Sequence, residues 1–226
     1  MTQNGGETYQ NVHYHKYDPG LDGPDLKMPK GPIYVTGNPR SGNTWLNRLL
    51  SDALASPAQT VPGNVLEWFG PRRDGQYVIR KRHLTGAEAD QMADGPVVFI
   101  QRDPRDLAVS KMYYRSAAPT DENLMGTLRS MIERKPPPNT TGRWYEGIGI
   151  FEAWVRSWTD RPELATCMTT YERLHELGAQ ELARIIRALI DVDITAAKAE
   201  AVFDRQGFGR WSMQYPHSMR KGKVGD

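Results

Sequence analysis

A potential phosphate-binding loop spans Gly37–Thr44, between a short β-prone run at Ile33–Thr36 and a helical pattern. A strand, a glycine-bearing turn and the first turn of a helix direct free backbone N–H groups and the positive end of the helix dipole at one point, so they bind anions. The loop spells G-x-x-x-x-G-x-T, but Asn43 stands where an ATP-binding P-loop carries lysine. Arg40 supplies another cation, and its guanidinium can bond a phosphate or the oxygen that bridges to a leaving group. These residues predict phosphate chemistry unlike that of an ordinary ATPase.

A second basic residue follows another strand. Val97–Gln101 is apolar almost throughout, as is typical of a strand covered on both faces in a parallel sheet. The strand ends at Arg102, and Ser110 follows eight residues later, within a helix predicted from about Asp106 to Tyr114. Ligands of open α/β sheets bind beyond the carboxyl ends of the strands. The Arg102 charge and the Ser110 hydroxyl can therefore meet one phosphate there.

The remaining elements continue an alternation of strands and helices. Ala165–Thr170 is predicted to be a third strand, and Ala179–Ile190 has the pattern of an amphipathic helix. A helix is also predicted at Ile148–Trp158, and Thr195 is expected to cap another that ends near Arg205. This order predicts an α/β fold of three αβα layers, with a central, mainly parallel sheet and a P-loop-like strand–loop–helix.

Four segments resemble the motifs of the cytosolic-type sulfotransferases, which use 3′-phosphoadenosine 5′-phosphosulfate (PAPS) as the sulfuryl donor. Pro39–Leu46 is similar to their 5′-phosphosulfate loop, and Arg102–Ser110 is similar to their 3′-phosphate motif. Val78–Leu84 resembles their Lys-x-His-Leu stretch, and Arg220–Asp226 resembles their Arg-Lys-Gly-x-x-Gly-Asp signature. The segments occur in the family's order. Two loop residues depart from the family pattern, with arginine at 40 for the usual lysine and asparagine at 43 for the first threonine.

The resemblance implies a role for each matching residue. His83 corresponds to the catalytic base, and a histidine with a pKa near 6.5 is suited to accepting a hydroxyl proton near neutral pH. Lys81 and Arg40 would stabilise negative charge on the leaving phosphate. The adenine of PAPS would stack on the rings of Trp45, Tyr171 and Phe208. The implied donor-binding residues are Arg40, Ser41, Gly42, Asn43, Thr44, Trp45, Arg102, Ser110, Tyr171, Phe208, Arg220, Lys221 and Gly222.

The expected activity is transfer of the sulfuryl group from PAPS to a hydroxyl or amine of an unidentified small-molecule, glycan or lipid acceptor. Two alternatives stay open. A P-loop nucleotide kinase or hydrolase would need a lysine after Gly42, and Asn43 does not meet that need. A non-catalytic nucleotide-binding relative would keep the fold without the chemistry. The oligomeric state is also open.

Length and charge limit the remaining possibilities. The chain has 226 residues, a formal charge of +2 and 38% hydrophobic residues, which predicts one domain, over residues 31–226. Residues 1–30 are rich in glycine, aspartate, proline and polar residues and lack a hydrophobic period, which predicts a loose arm. The balanced charge argues against a nucleic-acid partner. No apolar run is long enough to span a bilayer, and Met1–Gly6 lacks the apolar core of a secretion signal, so we expect a cytoplasmic protein.

Cysteine and histidine usage argues against a metal site. Cys167 is the only cysteine, so it cannot form an intrachain disulfide, and we expect it to be a buried thiol in a strand. A His-x-His such as His13–His15 is more often a solvated stretch than a metal site. We therefore expect no metal cofactor.

Overall fold

The computed structural model of the protein describes residues 15–16, 31–59, 67–68, 77–115, 120–122, 125–126, 129 and 148–207. The strands are β1 (His15–Lys16), β2 (Gly31–Thr36), β3 (Ala58–Gln59), β4 (Glu67–Trp68), β5 (Tyr77–Arg82), β6 (Val97–Gln101) and β7 (Cys167–Thr170). The α-helices are α1 (Asn43–Leu54), α2 (Gly86–Met92), α3 (Pro104–Arg115), α4 (Ile148–Thr159), α5 (Tyr171–Leu177), α6 (Ala179–Ile190) and α7 (Ala196–Gln206), and a 3₁₀ turn spans Pro162–Leu164.

The strands form one sheet in the order β1-β4-β3-β5-β2-β6-β7. From β3 to β7, each neighbouring pair in that order is parallel. At the other end, β4 is antiparallel to both β3 and β1. The prediction of a mainly parallel sheet is confirmed. Within the segment 1–30, expected to be a loose arm, His15 pairs with Trp68 across the β1–β4 ladder.

Helices cover both faces of the sheet because the central strands are apolar on both. Ile33, Val35 and Ile100 point to one face, where they pack with α1, α5, α6 and α7. Tyr34 and Phe99 alternate with them and pack on the other face, where two tryptophans of α4 complete a second core. The three-layer αβα architecture follows from this alternation.

Local signals explain where several helices begin. Thr195 accepts a hydrogen bond from the backbone N–H of Lys198 and caps α7, as predicted. Thr85 and Glu88 form a reciprocal capping box at the start of α2, a short helix that periodicity did not predict.

Cys167 is 5% exposed within β7, and burial raises the pKa of its thiol. In the described part of the chain, no helix combines the length and apolarity needed to cross a membrane.

Candidate active site

Four adjacent parallel strands end at one edge of the sheet, and each is followed at once by a predicted site residue or loop. The loop that starts at Gly37 follows β2, and His83 follows β5. Arg102 follows β6, and Tyr171 follows β7. Because β5, β2, β6 and β7 are neighbours, the sheet brings together segments that are far apart in sequence.

The loop Gly37–Thr44 has a backbone that requires glycine at two positions. Gly42 has a φ of 97°, and a Cβ there would lie 2.8 Å from Cδ2 of Tyr171. A Cβ on Gly37 would collide with the backbone carbonyl oxygen of Ile100. Arg40 also has a positive φ, of 78°, which is uncommon for a residue with a side chain. The loop therefore lies tightly against β6 and the start of α5.

Asn43 turns its side chain into this loop. Its Nδ2 donates to the carbonyl oxygen of Asn38 at 2.9 Å and to that of Gly37 at 3.3 Å. Ser41 is fully buried, and its hydroxyl donates to the same Asn38 oxygen at 2.6 Å. Both side chains hold the loop in shape. Contact of either residue with a nucleotide stays a prediction.

Ser110 contacts the loop through Arg40. Nε of Arg40 donates to Oγ of Ser110 at 3.2 Å, which joins the loop to α3. The sequence predicted that Arg102 and Ser110 share a phosphate, and it did not predict the bond to Arg40. Arg40 and Ser110 thus place a cation and a hydroxyl side by side at the loop.

The half-buried Arg102 and the buried Tyr171 pack together beside the loop. The guanidinium carbon of Arg102 lies 4.2 Å from the centroid of the Tyr171 ring, a cation–π contact. Nε of Arg102 and the hydroxyl of Tyr171 are buried, and within the described residues neither has a hydrogen-bond partner. Burial raises the pKa of Tyr171, and the charge of Arg102 partly opposes that rise. Unsatisfied buried donors are costly, so this pair is suited to binding an anionic ligand.

His83 is oriented by the loop itself. Its Nδ1 lies 2.7 Å from the carbonyl oxygen of Gly37. A carbonyl oxygen only accepts, so Nδ1 carries the hydrogen and Nε2 keeps its lone pair. Desolvation lowers the pKa of His83 below its ordinary 6.5, and the charges of Lys81 and Lys111 lower it further, against the opposing effect of the Gly37 bond. A lowered pKa favours the neutral imidazole at neutral pH, in which Nε2 is the basic nitrogen.

Two lysines accompany this histidine. Nζ of Lys81 donates to Oγ1 of Thr44 at 3.2 Å, so the lysine of β5 reaches the first turn of α1. Lys111 is 9% exposed, and sequence reasoning missed it. Its position directly after Ser110 was the one available signal.

Trp45 lies in an aromatic cluster. Its Nε1 donates to the carbonyl oxygen of Gln206 at 3.0 Å, and its ring is 5.7 Å from Phe203 and 5.8 Å from Tyr171 between centroids. The sequence singled out neither Phe203 nor Gln206. Trp45 is 4% exposed, so an adenine stacked on it must displace part of this cover. Adenine stacking on Trp45 and Tyr171 stays a prediction.

Other predicted site residues have no structural description. Phe208, Arg220, Lys221 and Gly222 lie outside the described residues. Within those residues, no group of three or more histidine, cysteine, aspartate or glutamate side chains is arranged to hold a metal ion.

Comparison with solved structures identifies the fold. The chain is similar to a mouse sulfotransferase, SULT7A1, crystallised with 3′-phosphoadenosine 5′-phosphate (PAP), with a TM-score of 0.62 and 18% identity over 89% of this chain and 78% of that chain. The chain has the sulfotransferase fold. No protein-family model matches the sequence, and no curated protein matches it significantly.

Two structures of retinol dehydratase share this fold. One, in complex with androsterone and the inactive cofactor PAP, gives a TM-score of 0.55 at 14% identity, over 88% of this chain and 76% of that chain. The other, in a complex with retinol and PAP, gives a TM-score of 0.52 at 15% identity, over 88% of this chain and 76% of that chain. At these identities the similarity concerns the fold.

Proposed function

We propose that the chain is a sulfotransferase that moves the sulfuryl group of PAPS to a hydroxyl or amine of an acceptor and releases PAP. The observation that carries this proposal is the 2.7 Å bond between His83 Nδ1 and the carbonyl oxygen of Gly37. It supports a neutral base that keeps the lone pair on Nε2 and is held by the proposed phosphate-binding loop. The fold shared with PAP-bound sulfotransferases supports the same activity.

The donor would be held at the carboxyl edge of the sheet. The backbone N–H groups at the start of α1 and the Arg40 guanidinium would bind the 5′-phosphosulfate. Arg102 and Ser110 would bind the 3′-phosphate, and the buried, unsatisfied Nε of Arg102 supports this role. Trp45, Tyr171 and Phe208 would contact the adenine, and Arg220, Lys221 and Gly222 would close over the 3′-phosphate.

Each catalytic residue would have one role in the transfer step. His83 accepts the proton of the acceptor hydroxyl at Nε2 as the acceptor oxygen forms a bond to sulfur. The bond between sulfur and the bridging oxygen breaks, and Arg40 and Lys81 stabilise the charge that develops on that oxygen. The 3.2 Å bond from Lys81 to Thr44 supports this position for the lysine.

Calorimetric titration with PAP, beside ATP and adenosine 5′-phosphosulfate, tests the donor site. We expect selective binding of PAP, and Arg102→Ala should weaken it by about 10- to 100-fold because a charge-assisted contact is lost. Arg105→Ala is the matched control, since Arg105 lies three residues away, has an 88% exposed side chain and pairs with Asp103. Absence of PAP binding to the wild-type protein would contradict the proposal.

Transfer of ³⁵S-labelled sulfate from PAPS tests the chemistry. The acceptor panel should include phenols, steroids, glycans and lipids, with androsterone and retinol among them because they occupy structures of the same fold. Magnesium-dependent turnover of ATP would favour a nucleotide kinase or hydrolase instead. PAP binding without transfer to any acceptor would favour a non-catalytic nucleotide-binding protein.

A further inference from the structure

A buried polar cluster joins α1 to the end of α7, and none of the sequence motifs includes its central residue, Asp52. Arg205 binds the Asp52 carboxylate with both Nη2, at 2.7 Å, and Nε, at 3.0 Å. Nε2 of Gln206 donates to Oδ2 of Asp52 at 2.9 Å. The carbonyl oxygen of Gln206 in turn accepts the indole N–H of Trp45 at 3.0 Å. We refer to these four residues as the Asp52 cluster.

The Asp52 cluster spans two turns of α1. Asp52 follows Trp45 by seven residues in α1, so the two side chains lie on the same helix face. Helix α7 meets that face at both ends of the cluster, since Gln206 donates from its side chain to Asp52 and accepts the Trp45 indole N–H at its carbonyl oxygen. Phe203, also in α7, packs edge-on against the Trp45 ring. The position of α7 along α1 therefore determines how the Trp45 ring is held.

The Asp52 carboxylate is buried, so its charge must be paired and hydrogen-bonded. Its side chain is fully buried, whereas that of Arg205 is 39% exposed. A buried ion pair is seldom more stable than apolar packing of similar volume, but it requires one geometry. Three bonds to one carboxylate fix both the rotation and the end point of α7.

We propose that Asp52 is a positioning residue of the nucleotide site, and that it acts through Gln206 on the indole of Trp45. This inference rests on the proposed function, in which Trp45 contacts the adenine of PAPS. In this proposal Asp52 would not itself contact the nucleotide. It keeps the Gln206 carbonyl oxygen where it can orient the indole, so its loss should weaken nucleotide binding without removing any contact to the nucleotide.

The first test needs no ligand. The indole N–H resonance of Trp45 is assigned by its absence from the Trp45→Phe spectrum. In Asp52→Asn, we expect this resonance to shift and its hydrogen to exchange with water at least about tenfold faster, because the acceptor is no longer held. Glu181→Gln is the matched control, since Glu181 is also a buried carboxylate, 1% exposed, and binds Arg173 and Arg184. It should leave the Trp45 resonance unchanged.

The second test is PAP affinity measured by calorimetry. We expect Asp52→Asn to weaken PAP binding by about tenfold, and Glu181→Gln to change it less than about twofold. If Asp52→Asn does not fold, the pair Asp52→Leu with Arg205→Met removes both charges and replaces the ion pair by apolar side chains, a change that is often neutral for stability. That double variant should show the same loss of affinity.

The outcomes separate the two proposals. An unchanged Trp45 indole resonance, or wild-type PAP affinity in the folded Asp52 variants, overturns the positioning role alone. A wild-type protein that does not bind PAP overturns the proposed function and the nucleotide role of Asp52 with it. The indole resonance still reports in that case whether Asp52 controls Trp45.

Discussion

His83 donates the hydrogen on Nδ1 to the carbonyl oxygen of Gly37 across 2.7 Å, so the candidate base is held by the same loop that is expected to bind the donor. The Gly37 carbonyl oxygen also accepts a longer bond, 3.3 Å, from Nδ2 of Asn43. One backbone carbonyl thus connects the base to the start of α1. A shift of the loop would change the orientation of the imidazole.

The first prediction concerns the tautomer and the pKa of His83. Nitrogen-15 NMR of the imidazole should show the Nδ1–H form at pH 7, and titration should give a pKa below 6.5 because burial disfavours the charged ring. Only the neutral imidazole can accept the acceptor proton. Sulfuryl transfer should therefore persist below pH 6.5 and fall only as the pH drops through the lowered pKa of His83. An Nε2–H tautomer would contradict the assignment of His83 as the base. A pKa above 6.5 would contradict the dominant effect of burial on the ring.

Removal of a nearby positive charge should raise that pKa. Lys81 and Lys111 both lower the pKa of His83, and Lys81 has the larger effect. We therefore expect Lys81→Met to raise the pKa of His83 more than Lys111→Met does, as measured by the same NMR titration. An unchanged pKa in both variants would mean that the lysines are too distant or too well solvated to act on the ring.

Substitution of His83 should separate binding from chemistry. In His83→Asn, the amide can still donate to the Gly37 oxygen, but it cannot accept a proton near neutral pH. We expect PAP affinity within about twofold of wild type and transfer slower by about 100- to 10,000-fold. His83→Ala should lose transfer and also the bond to the loop. Near-wild-type transfer by His83→Asn would exclude His83 as the base.

Much of the fold was predictable because its signals are local. The apolar run of Val97–Gln101 and the periodicity of Ala179–Ile190 gave the bounds of β6 and α6 as observed. The position of Arg102 was predictable for the same reason, since it directly follows a predicted strand. His83 was singled out by the resemblance of Val78–Leu84 to the Lys-x-His-Leu stretch. Thr85 and Glu88 also have the sequence spacing of a capping box. Helix α2 was nevertheless not predicted, because it has only 7 residues and little periodicity.

The contacts within the site were not predictable, because they join distant parts of the chain. Arg40 and Ser110 are 70 residues apart, and Asp52 and Arg205 are 153 residues apart. No spacing rule relates such residues, and each pair meets only after the helices pack. The burial of Lys111 near His83 depends on the same packing.

The close approach of Gly37 to β6 should make the loop intolerant of any side chain. A Cβ at this position meets the backbone carbonyl oxygen of Ile100, which cannot rotate away. We expect Gly37→Ala to lower the free energy of unfolding by roughly 1–3 kcal/mol, measured by urea denaturation. Gly31→Ala is the matched control, since a Cβ there has no neighbour within 4 Å. Equal stability of the two variants would refute the tight packing of the loop on β6.

Arg40 should contribute more to the reaction than to stability. Its φ of 78° is unfavourable for a residue with a side chain, so Arg40→Gly relieves strain that Arg40→Ala retains. We expect the free energy of unfolding to be higher for Arg40→Gly than for Arg40→Ala, by about 1 kcal/mol. Both variants should lose about 100- to 1,000-fold in transfer rate, because both remove the guanidinium.

The control for Arg40 is Arg187→Ala, which removes an arginine whose side chain is 63% exposed and pairs with Asp193 on the surface. It should leave transfer unchanged. Arg40→Lys restores a cation without the planar fork and loses the Nε bond to Ser110, so it should recover part of the rate. Transfer at the wild-type rate by Arg40→Gly would show that the charge on the bridging oxygen is stabilised elsewhere. A loss of stability that matched the loss of rate in both variants would indicate a structural role instead.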